Sequence, residues 1–407
     1  MRLTGALPGE TVSFTYRKRS RRFDEGLVNS VSAPATSRVA AKCAHFGVCG
    51  GCVLQHLDHD GQLELKQSRL LEGFAALGLT PEQTLAPLVG PLWGYRNKAR
   101  LGAKWLGPKS LALVGFRERG SGRVAVLDAC EILHPAVGER ISELRELLAS
   151  LDERERIPQV ELAAGDNGVA LVFRHLQALG PADLQRLSEF GQQTGLQIYL
   201  QPGGPETLNP LWPVQPGPLV YEFPDTTIRL EFSPLDFTQI NPAINRALVT
   251  QAQTLLAPDP DDRILDLFCG LGNFTLPLAQ RAGQVVGLDG AEALAAKGRH
   301  NAAINNISNA EFYSVDLTEA QAASFWLSQR WHKMLLDPPR SGALEIVQRM
   351  PVGACEKILY VSCNPESLAR DAAVLVRERG YRLSRLGIID MFPHTNHVES
   401  MALFEAG

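Results

Sequence analysis

The chain has 407 residues, of which 45% are hydrophobic and 21% are charged, values that are ordinary for globular proteins. At this length we expect roughly two or three domains. No apolar stretch approaches the ~20 residues of a membrane span, and the first five residues lack the apolar core of a secretory signal. The sequence therefore predicts a cytoplasmic protein without a membrane anchor.

The net charge of −4 argues against a protein that binds nucleic acid through an overall positive field. Residues 1–42 are an exception, because they carry eight Lys and Arg residues against three Asp and Glu residues, a local charge of +5. The basic residues are Arg2, Arg17, Lys18, Arg19, Arg21, Arg22, Arg38 and Lys42. Charge alone leaves two readings open: contact with a polyanion such as RNA, or a solvated arm.

The N-terminal region predicts a small β module. After the Pro8-Gly9 turn, polar and apolar residues alternate as far as Tyr16, which predicts a strand within residues 5–16. Residues 31–37 are rich in Ser, Ala and Pro and predict a connector. Three cysteines follow, and residues 62–77 predict a helix.

The middle of the chain, residues 95–231, predicts an α+β or mostly β domain, because its short strands lack a βαβ rhythm. The predicted strands are 112–116, 124–127, 160–163 and 169–174, and the predicted helices are 136–150 and 181–194.

After Pro234 the pattern changes to alternating strands and helices, which predicts an α/β, doubly wound sheet. The predicted strands are 263–268, 285–289, 311–315, 333–337, 357–361 and 401–404. The predicted helices are 242–256, 275–281, 291–305 and 366–379.

A glycine-rich turn, Gly270-Leu-Gly272, follows the first of these strands, and Asp289 ends the next one, 19 residues after Gly270. This pairing predicts a nucleotide site, with the carboxylate on a ribose. The third glycine of the dinucleotide fingerprint is absent, which disfavours a pyrophosphate ligand. Aspartates 266, 289, 316 and 337 end successive predicted strands, a pattern that resembles the S-adenosylmethionine site of class I methyltransferases.

A cysteine, Cys363, follows the apolar strand 357–361. Ligands of open α/β sheets bind outside the carboxyl ends of the strands, so this thiol is placed for nucleophilic attack. The alternative is a small buried residue that closes the strand, since free cysteine is commonly buried.

Four motifs together resemble the RNA (uracil-5-)-methyltransferase family. They are Phe237-Thr-Gln-Ile-Asn241, Asp337-Pro-Pro-Arg340, Ser362-Cys-Asn-Pro365 and His394-Thr-Asn-His-Val-Glu399. The resemblance implies that Cys363 is the nucleophile and that Glu399 is the base that removes the carbon 5 proton. It also implies contacts to S-adenosylmethionine from Gln239, Phe268, Asn273, Asp289, Asp316 and Asp337.

Seven cysteines in a cytoplasmic chain favour a metal site or a catalytic thiol over disulfides. Cys43, Cys49 and Cys52 lie on a glycine-rich loop, and Cys130 can supply a fourth ligand. Spacing alone cannot decide between zinc, with His45 or His56 as further ligands, and iron–sulfur. The resemblance to the family branch that acts on large-subunit ribosomal RNA implies a [4Fe–4S] cluster. His394, His397 and Glu399 do not match a known zinc pattern.

The resemblance implies three domains: a partial TRAM-like RNA-binding β domain (1–40), a central domain with the cluster (41–232) and an S-adenosylmethionine-dependent methyltransferase domain (233–407). We expect a monomer that methylates uridine 1939 of 23S ribosomal RNA. The alternatives are another ribosomal uridine, a tRNA, or a non-catalytic, metal-stabilised RNA-binding protein. Five residues are candidates for either an RNA face or the core: Trp93, Tyr95, Arg96, Lys98 and Arg100.

Overall fold

The computed structural model describes residues 1–21, 23–223 and 226–407. Arg22, one of the basic N-terminal residues, therefore lies outside the described residues. Among the helices described, none is both long and apolar enough to span a bilayer.

The N-terminal residues form a three-stranded sheet in the order β1-β3-β2. Its strands are β1 (Arg2–Thr4), β2 (Thr11–Lys18) and β3 (Glu25–Ala33). The strand predicted within residues 5–16 begins only at Thr11, because Gly9 adopts a φ of +80° in the preceding turn. Arg38 connects this sheet to the rest of the chain, since its guanidinium donates to Gly5 O at 2.7 Å and also binds the buried carboxylate of Glu10.

A helix and a short strand precede the central sheet: α1 (His59–Ala75) and β4 (Gln83–Thr84). The helix begins where Asp58 Oδ1 accepts a hydrogen bond from Gly61 N at 2.8 Å, an N-cap that the prediction of 62–77 missed by three residues. Leu70 and Phe74 on this helix are fully buried.

The central sheet has six strands in the order β10-β9-β8-β7-β5-β6, and only β8 and β9 pair in parallel. Its strands are β5 (Lys98–Leu106), β6 (Leu111–Gly115), β7 (Gln159–Ala164), β8 (Val169–Arg174), β9 (Gln197–Gln201) and β10 (Asn209–Trp212). Its helices are α2 (Pro135–Gly138), α3 (Ile141–Ser150) and α4 (Pro181–Thr194). The predicted α+β character is confirmed.

Two predictions for this region were wrong in detail. The predicted strand 124–127 is a loop in which Val124 makes a single bridge to Arg117, and its buried residues Ala125 and Leu127 are apolar because they cover the sheet. The predicted helix 136–150 is two helices, because the backbone of Arg140 leaves the helical conformation between them, with a φ of −108° and a ψ of 18°.

The C-terminal half forms an eight-stranded sheet in the order β15-β14-β13-β16-β17-β19-β18-β4. Its own strands are β13 (Arg263–Leu267), β14 (Gln284–Asp289), β15 (Ala310–Ser314), β16 (Lys333–Leu336), β17 (Lys357–Ser362), β18 (Tyr381–Ile389) and β19 (Glu399–Ala406); the hairpin β11 (Leu219–Phe223) and β12 (Ile228–Phe232) precedes it. The helices are α5 (Pro242–Leu256), α6 (Thr275–Ala279), α7 (Glu292–Ile304), α8 (Ala320–Leu327), α9 (Leu344–Arg349) and α10 (Pro365–Glu378).

The five neighbouring strands β15, β14, β13, β16 and β17 are parallel to one another, and β19 is antiparallel to both of its neighbours. Two apolar cores cover the two faces of the sheet, as a doubly wound α/β fold requires. This part of the prediction is confirmed, but β18 and the helices α8 and α9 were missed. The carboxyl ends of the parallel strands and the amino end of β19 meet at one end of the sheet, and the predicted catalytic residues and cofactor-binding aspartates lie there.

Candidate active site

The glycine loop after β13 is held close to the end of β14. Gly270 N donates to Asp289 Oδ2 at 3.1 Å, and the backbone amides of Phe268 and Cys269 donate to Leu288 O. Gly272 has a φ of +100°, a conformation that L side chains rarely adopt, and a Cβ there would lie 3.1 Å from the Phe312 ring. A side chain at this position would therefore be both strained and crowded.

Two cavities, of about 20 and 330 Å³, lie beside this loop. One is lined by Gln239 together with Tyr221 and Asn245, and both of these side chains hydrogen-bond Asn273 Oδ1, at 3.1 and 2.8 Å. The other is lined by Phe268 and Thr318. Asp289 binds the loop, and Asp316 accepts two hydrogen bonds from Thr318. Five of the six predicted cofactor residues therefore lie next to these cavities or the loop: Gln239, Phe268, Asn273, Asp289 and Asp316.

The sixth residue, Asp337, follows β16 and lies near the buried Asp266 below the loop. Burial raises the pKa of each carboxyl to about 7, and for Asp266 the neighbouring Asp337 and Asp289 add to this effect. Asp266 Oδ1 and Asn241 Nδ2 are buried polar atoms without a hydrogen-bond partner in the part of the chain that the structure describes. Unpartnered buried atoms of this kind are expected where a polar ligand binds.

Cys363 and Glu399 lie at the end of two paired strands. The antiparallel ladder of β17 and β19 ends with Ser362 opposite Ser400, so Cys363 and Glu399 are the next residues of the two chains beyond the last ladder pair. They are close enough for the charge of Glu399 to raise the pKa of the Cys363 thiol. The predicted nucleophile and the predicted base therefore share one edge of the site.

The electrostatics of the two acids are coupled. Burial, followed by the charge of Asp337, raises the pKa of Glu399 to about 8, while Arg340 and Lys66 oppose the shift. Burial also raises the pKa of the Cys363 thiol, with further contributions from Glu399 and Asp337. Arg340 lowers it, so this guanidinium favours the thiolate. Perturbed acids that face each other in a cleft are typical of catalytic sites.

Asn364 joins two of the sequence motifs. Its side-chain oxygen caps α10 by accepting from Glu366 N at 3.1 Å, and its amide nitrogen donates to Arg340 O at 3.0 Å. Cys363 is therefore fixed from both sides, by β17 and by the first turn of α10.

An open cleft of about 660 Å³ lies in front of Cys363. Three arginines, Arg69, Arg96 and Arg340, line it together with Phe116 and Phe392. Guanidinium groups and aromatic rings suit phosphates and unstacked bases, so the cleft fits a single-stranded nucleic acid.

Of the five residues that the sequence left open between an RNA face and the core, only Arg96 lines this cleft. Tyr95 is buried and donates to Pro393 O, and Trp93 stacks on His394 with ring centroids 4.1 Å apart. Lys98 donates to Pro234 O, and Arg100 pairs with Glu161 at 3.1 Å.

The four N-terminal and central cysteines converge on a second cavity. Cys43, Cys49, Cys52 and Cys130 line it, and His45 lies at its wall with its ring accepting from Asp128 N. Burial raises the pKa of Cys52 to about 12 and that of Cys130 to about 11, and Cys43 and Cys49 add to both shifts. Within residues 1–21, 23–223 and 226–407, no three or more Cys, His, Asp or Glu side chains are arranged as a ready-made metal site.

Sequence reasoning missed Lys66, Asp390 and Asn245. Lys66 and Asp390 form a buried ion pair of 2.6 Å beside the segment that carries Glu399, and Asn245 holds Asn273. One signal was present in the sequence: His59, Gln62, Lys66 and Arg69 repeat at helical spacing and form a polar stripe on α1.

The chain is similar to known proteins in both sequence and fold. A family model described as tRNA (Uracil-5-)-methyltransferase matches residues 221–406. The tRNA (uracil-54, C5)-methyltransferase of Pyrococcus abyssi, solved in complex with S-adenosyl-L-homocysteine, superposes with a TM-score of 0.74 at 24% identity over 99% of this chain and 95% of that one.

Curated relatives match along almost the whole length. The 23S rRNA (uracil(1939)-C(5))-methyltransferase RlmD of Alkalilimnicola ehrlichii is 52% identical over 98% of this chain and 90% of its own. The proteins of the same name from Methylococcus capsulatus and Nitrosococcus oceani are 48% and 52% identical, over 98% and 99% of this chain and 91% and 90% of their own lengths.

The sheet, its glycine loop and the site at its carboxyl edge define a class I S-adenosylmethionine-dependent methyltransferase fold. Within that class, the chain belongs to the RNA (uracil-5-)-methyltransferase family.

Proposed function

We propose that this chain methylates carbon 5 of a uridine in 23S ribosomal RNA, with uridine 1939 as the target and S-adenosylmethionine as the methyl donor. The observation that carries the proposal is that Cys363 lines an arginine-lined cleft and that the buried Glu399 begins the strand paired with β17, next to it. The names of the full-length relatives support the choice of RNA and of uridine.

The chemistry follows from the weak nucleophilicity of carbon 5. The Cys363 thiolate adds to carbon 6, and the electron pair of the ring's carbon–carbon double bond moves into an enolate. Carbon 5 then attacks the sulfonium methyl group that S-adenosylmethionine supplies. The Glu399 carboxylate takes the proton from carbon 5, and expulsion of the thiolate restores the double bond.

We assign the methyl donor to Gln239, Phe268, Asn273, Asp289, Asp316 and Asp337. The two cavities beside the glycine loop and the unpartnered atoms of Asp266 and Asn241 support this assignment. Carboxylates suit a ligand that carries a sulfonium, a ribose diol and an adenine amine.

The test uses transcripts of the 23S segment around position 1939, the same segment with that uridine replaced by cytidine, and a tRNA. We expect methyl transfer from labelled S-adenosylmethionine to the first transcript only. Transfer to the cytidine transcript at the same rate would show another target uridine, and transfer to the tRNA alone would overturn the ribosomal assignment.

We also propose that Cys43, Cys49, Cys52 and Cys130 hold a [4Fe–4S] cluster. The donor set fits: four thiols line one cavity, and each buried thiolate disfavours the others unless a cation neutralises them. Protein purified without oxygen should be brown and contain about four iron and four sulfide per chain. Cys52→Ser should lose the colour, whereas Cys355→Ser, outside the set, should keep it; colourless protein with zinc would overturn the cluster.

For the remaining organisation we propose a monomeric, cytoplasmic enzyme with a partial TRAM-like RNA-binding domain at 1–40, a central domain at 41–232 and the methyltransferase domain at 233–407. Tyr16 supports the RNA-binding role, because its ring is exposed and Arg19 lies over it at 4.4 Å. Tyr16→Ala should weaken RNA binding and leave the affinity for S-adenosylhomocysteine unchanged.

A further inference from the structure

A buried ion pair connects α1 to the segment that leads into Glu399. Asp390 follows β18 directly and is fully buried, and its two oxygens bind Lys66 Nζ at 2.6 Å and His59 Nε2 at 2.9 Å. Lys66, 2% exposed, also donates to Phe392 O at 3.0 Å. One lysine therefore holds both a side chain and a backbone carbonyl of the same segment.

The rest of this segment, residues 390–398, is held from the same side. His394 N donates to Gln62 Oε1 at 2.8 Å, and His394 O accepts from both Val53 N and Leu54 N. His394 has a φ of +66°, a strained conformation for a residue other than glycine. Such a conformation persists only where the surroundings fix it, and here α1 and the residues after Cys52 do so.

Stability alone does not account for a charged pair at this place. A buried lysine and aspartate are often no more stabilising than apolar residues of the same size, because both lose their hydration. Lys66 is also close enough to lower the pKa of Glu399, against the effect of burial. The pair is thus close enough to the proposed base to change its pKa, and it lies at the start of the segment that leads to Glu399.

We propose that Lys66 and Asp390 are positioning residues for Glu399, which hold the segment 390–398 so that the Glu399 carboxylate faces Cys363. This inference rests on the proposed function, in which Glu399 removes the carbon 5 proton. It predicts a specific defect: addition of Cys363 and methyl transfer proceed, and the release of the thiolate that follows proton removal is slowed.

The experiment compares two double variants of the full-length protein. Lys66→Met/Asp390→Asn removes both charges, so that neither is left buried alone. The matched control is Lys333→Met/Asp262→Asn, since this pair has side chains only 8% and 10% exposed and lies at the opposite edge of the same sheet. The measurements are Tm, the Kd for S-adenosylhomocysteine, KM for the RNA, kcat, and the fraction of enzyme in a denaturation-resistant RNA adduct at steady state.

We expect both double variants to melt at a lower temperature. Only Lys66→Met/Asp390→Asn should lower kcat, by roughly 10- to 100-fold, as expected when a catalytic group is misplaced by about 1 Å. Its adduct fraction should rise, and its Kd for S-adenosylhomocysteine should stay within about twofold of wild type. The milder His59→Ala, which removes one contact to Asp390, should show the same pattern more weakly and covers the case in which the double variant does not fold.

Glu399→Gln distinguishes a failure of the positioning role of Lys66 and Asp390 from a failure of the assignment of Glu399 as the base. If it traps adduct but the Lys66 and His59 variants have the kcat and adduct fraction of the control, the positioning role is wrong and the proposed function stands. A loss of kcat in parallel with a loss of cofactor affinity also overturns the positioning role. If Glu399→Gln traps no adduct, the base assignment fails and the positioning role fails with it.

Discussion

Burial raises the pKa values of both Cys363 and Glu399, and it affects their proposed roles as nucleophile and base in opposite ways. A thiol with a raised pKa is a poor nucleophile at neutral pH unless a cation favours its thiolate, and the exposed Arg340 supplies that charge. A carboxylate with a raised pKa is a stronger base, which suits Glu399 for removing a proton from carbon. The motif residues were predictable because each motif is contiguous in sequence.

The nucleophile can be tested by substitution. Cys363→Ala should lower methyl transfer by at least ~10³-fold, because no other thiol lines the cleft among the residues described, while S-adenosylhomocysteine binding is retained. The measurement is single-turnover transfer of labelled methyl groups. The buried Cys355, at the other end of β17, provides the control Cys355→Ala, which should keep its activity; normal turnover by Cys363→Ala would exclude a covalent mechanism.

The raised pKa of Glu399 also predicts a pH-dependent stability. Its carboxyl titrates at 4.5 when unperturbed and at about 8 in the folded protein, so between these values the folded state binds a proton that the unfolded state has released. Folding stability therefore falls as the pH rises through this window, by ~1.4 kcal/mol per unit of pKa shift at most.

Glu399→Gln removes this penalty, so the difference in Tm between variant and wild type should be larger and more positive at pH 8.5 than at pH 5. Thermal unfolding at the two pH values measures it, with the exposed Glu356→Gln as the control. An equal difference at both pH values would contradict a raised pKa.

At the scale of elements, the alternation of strands and helices predicted most of the sheet, since each parallel strand is a buried apolar run. Strand β18 was missed because Arg382, Ser384 and Arg385 interrupt its apolar pattern, and a bulge between Leu383 and Arg385 accommodates them. The pair of Lys66 and Asp390 was out of reach, because the two residues are 324 positions apart and meet only through the tertiary fold.

The glycine loop offers a test at this scale. Gly272→Ala should weaken S-adenosylhomocysteine binding by roughly 10-fold, since the new Cβ meets Phe312 and Leu276 at 3.1 and 3.2 Å in a backbone that disfavours side chains. Isothermal titration measures the change. Gly290→Ala, just after the next strand and with open space around its Cβ, should bind S-adenosylhomocysteine like wild type. Equal affinities of the two variants would show that Gly272 is not required for binding.

At the scale of the molecule, the catalytic sheet includes residues from outside the C-terminal half. Strand β4 pairs with β18 as the last strand, and Leu70 and Phe74 of α1 belong to the core on one face. No local pattern predicts that a two-residue strand completes a sheet formed some 300 residues later, because only tertiary packing selects it.

This arrangement predicts how fragments behave. Residues 233–407 alone should aggregate or melt without cooperativity, because β18 becomes an open edge and the surface that α1 covers is exposed. Residues 36–407, which lack only the N-terminal sheet, should remain monodisperse and melt cooperatively. Size-exclusion chromatography and calorimetry compare them; a well-folded 233–407 fragment would contradict the prediction.

The pairing of β17 and β19 beside Cys363 and Glu399 also bears on how the enzyme family can change. Backbone hydrogen bonds set the separation of opposed residues at about 4.5–5.5 Å between Cα atoms, whatever the side chains are. The C-terminal turns of α10 and the loop that leads to β18 can therefore change in length and sequence without altering this pairing, whereas residues 390–398 are constrained by their contacts with α1. A register slip of one residue would turn Cys363 or Glu399 to the other face of the sheet, so the strand pairing is what selection must preserve.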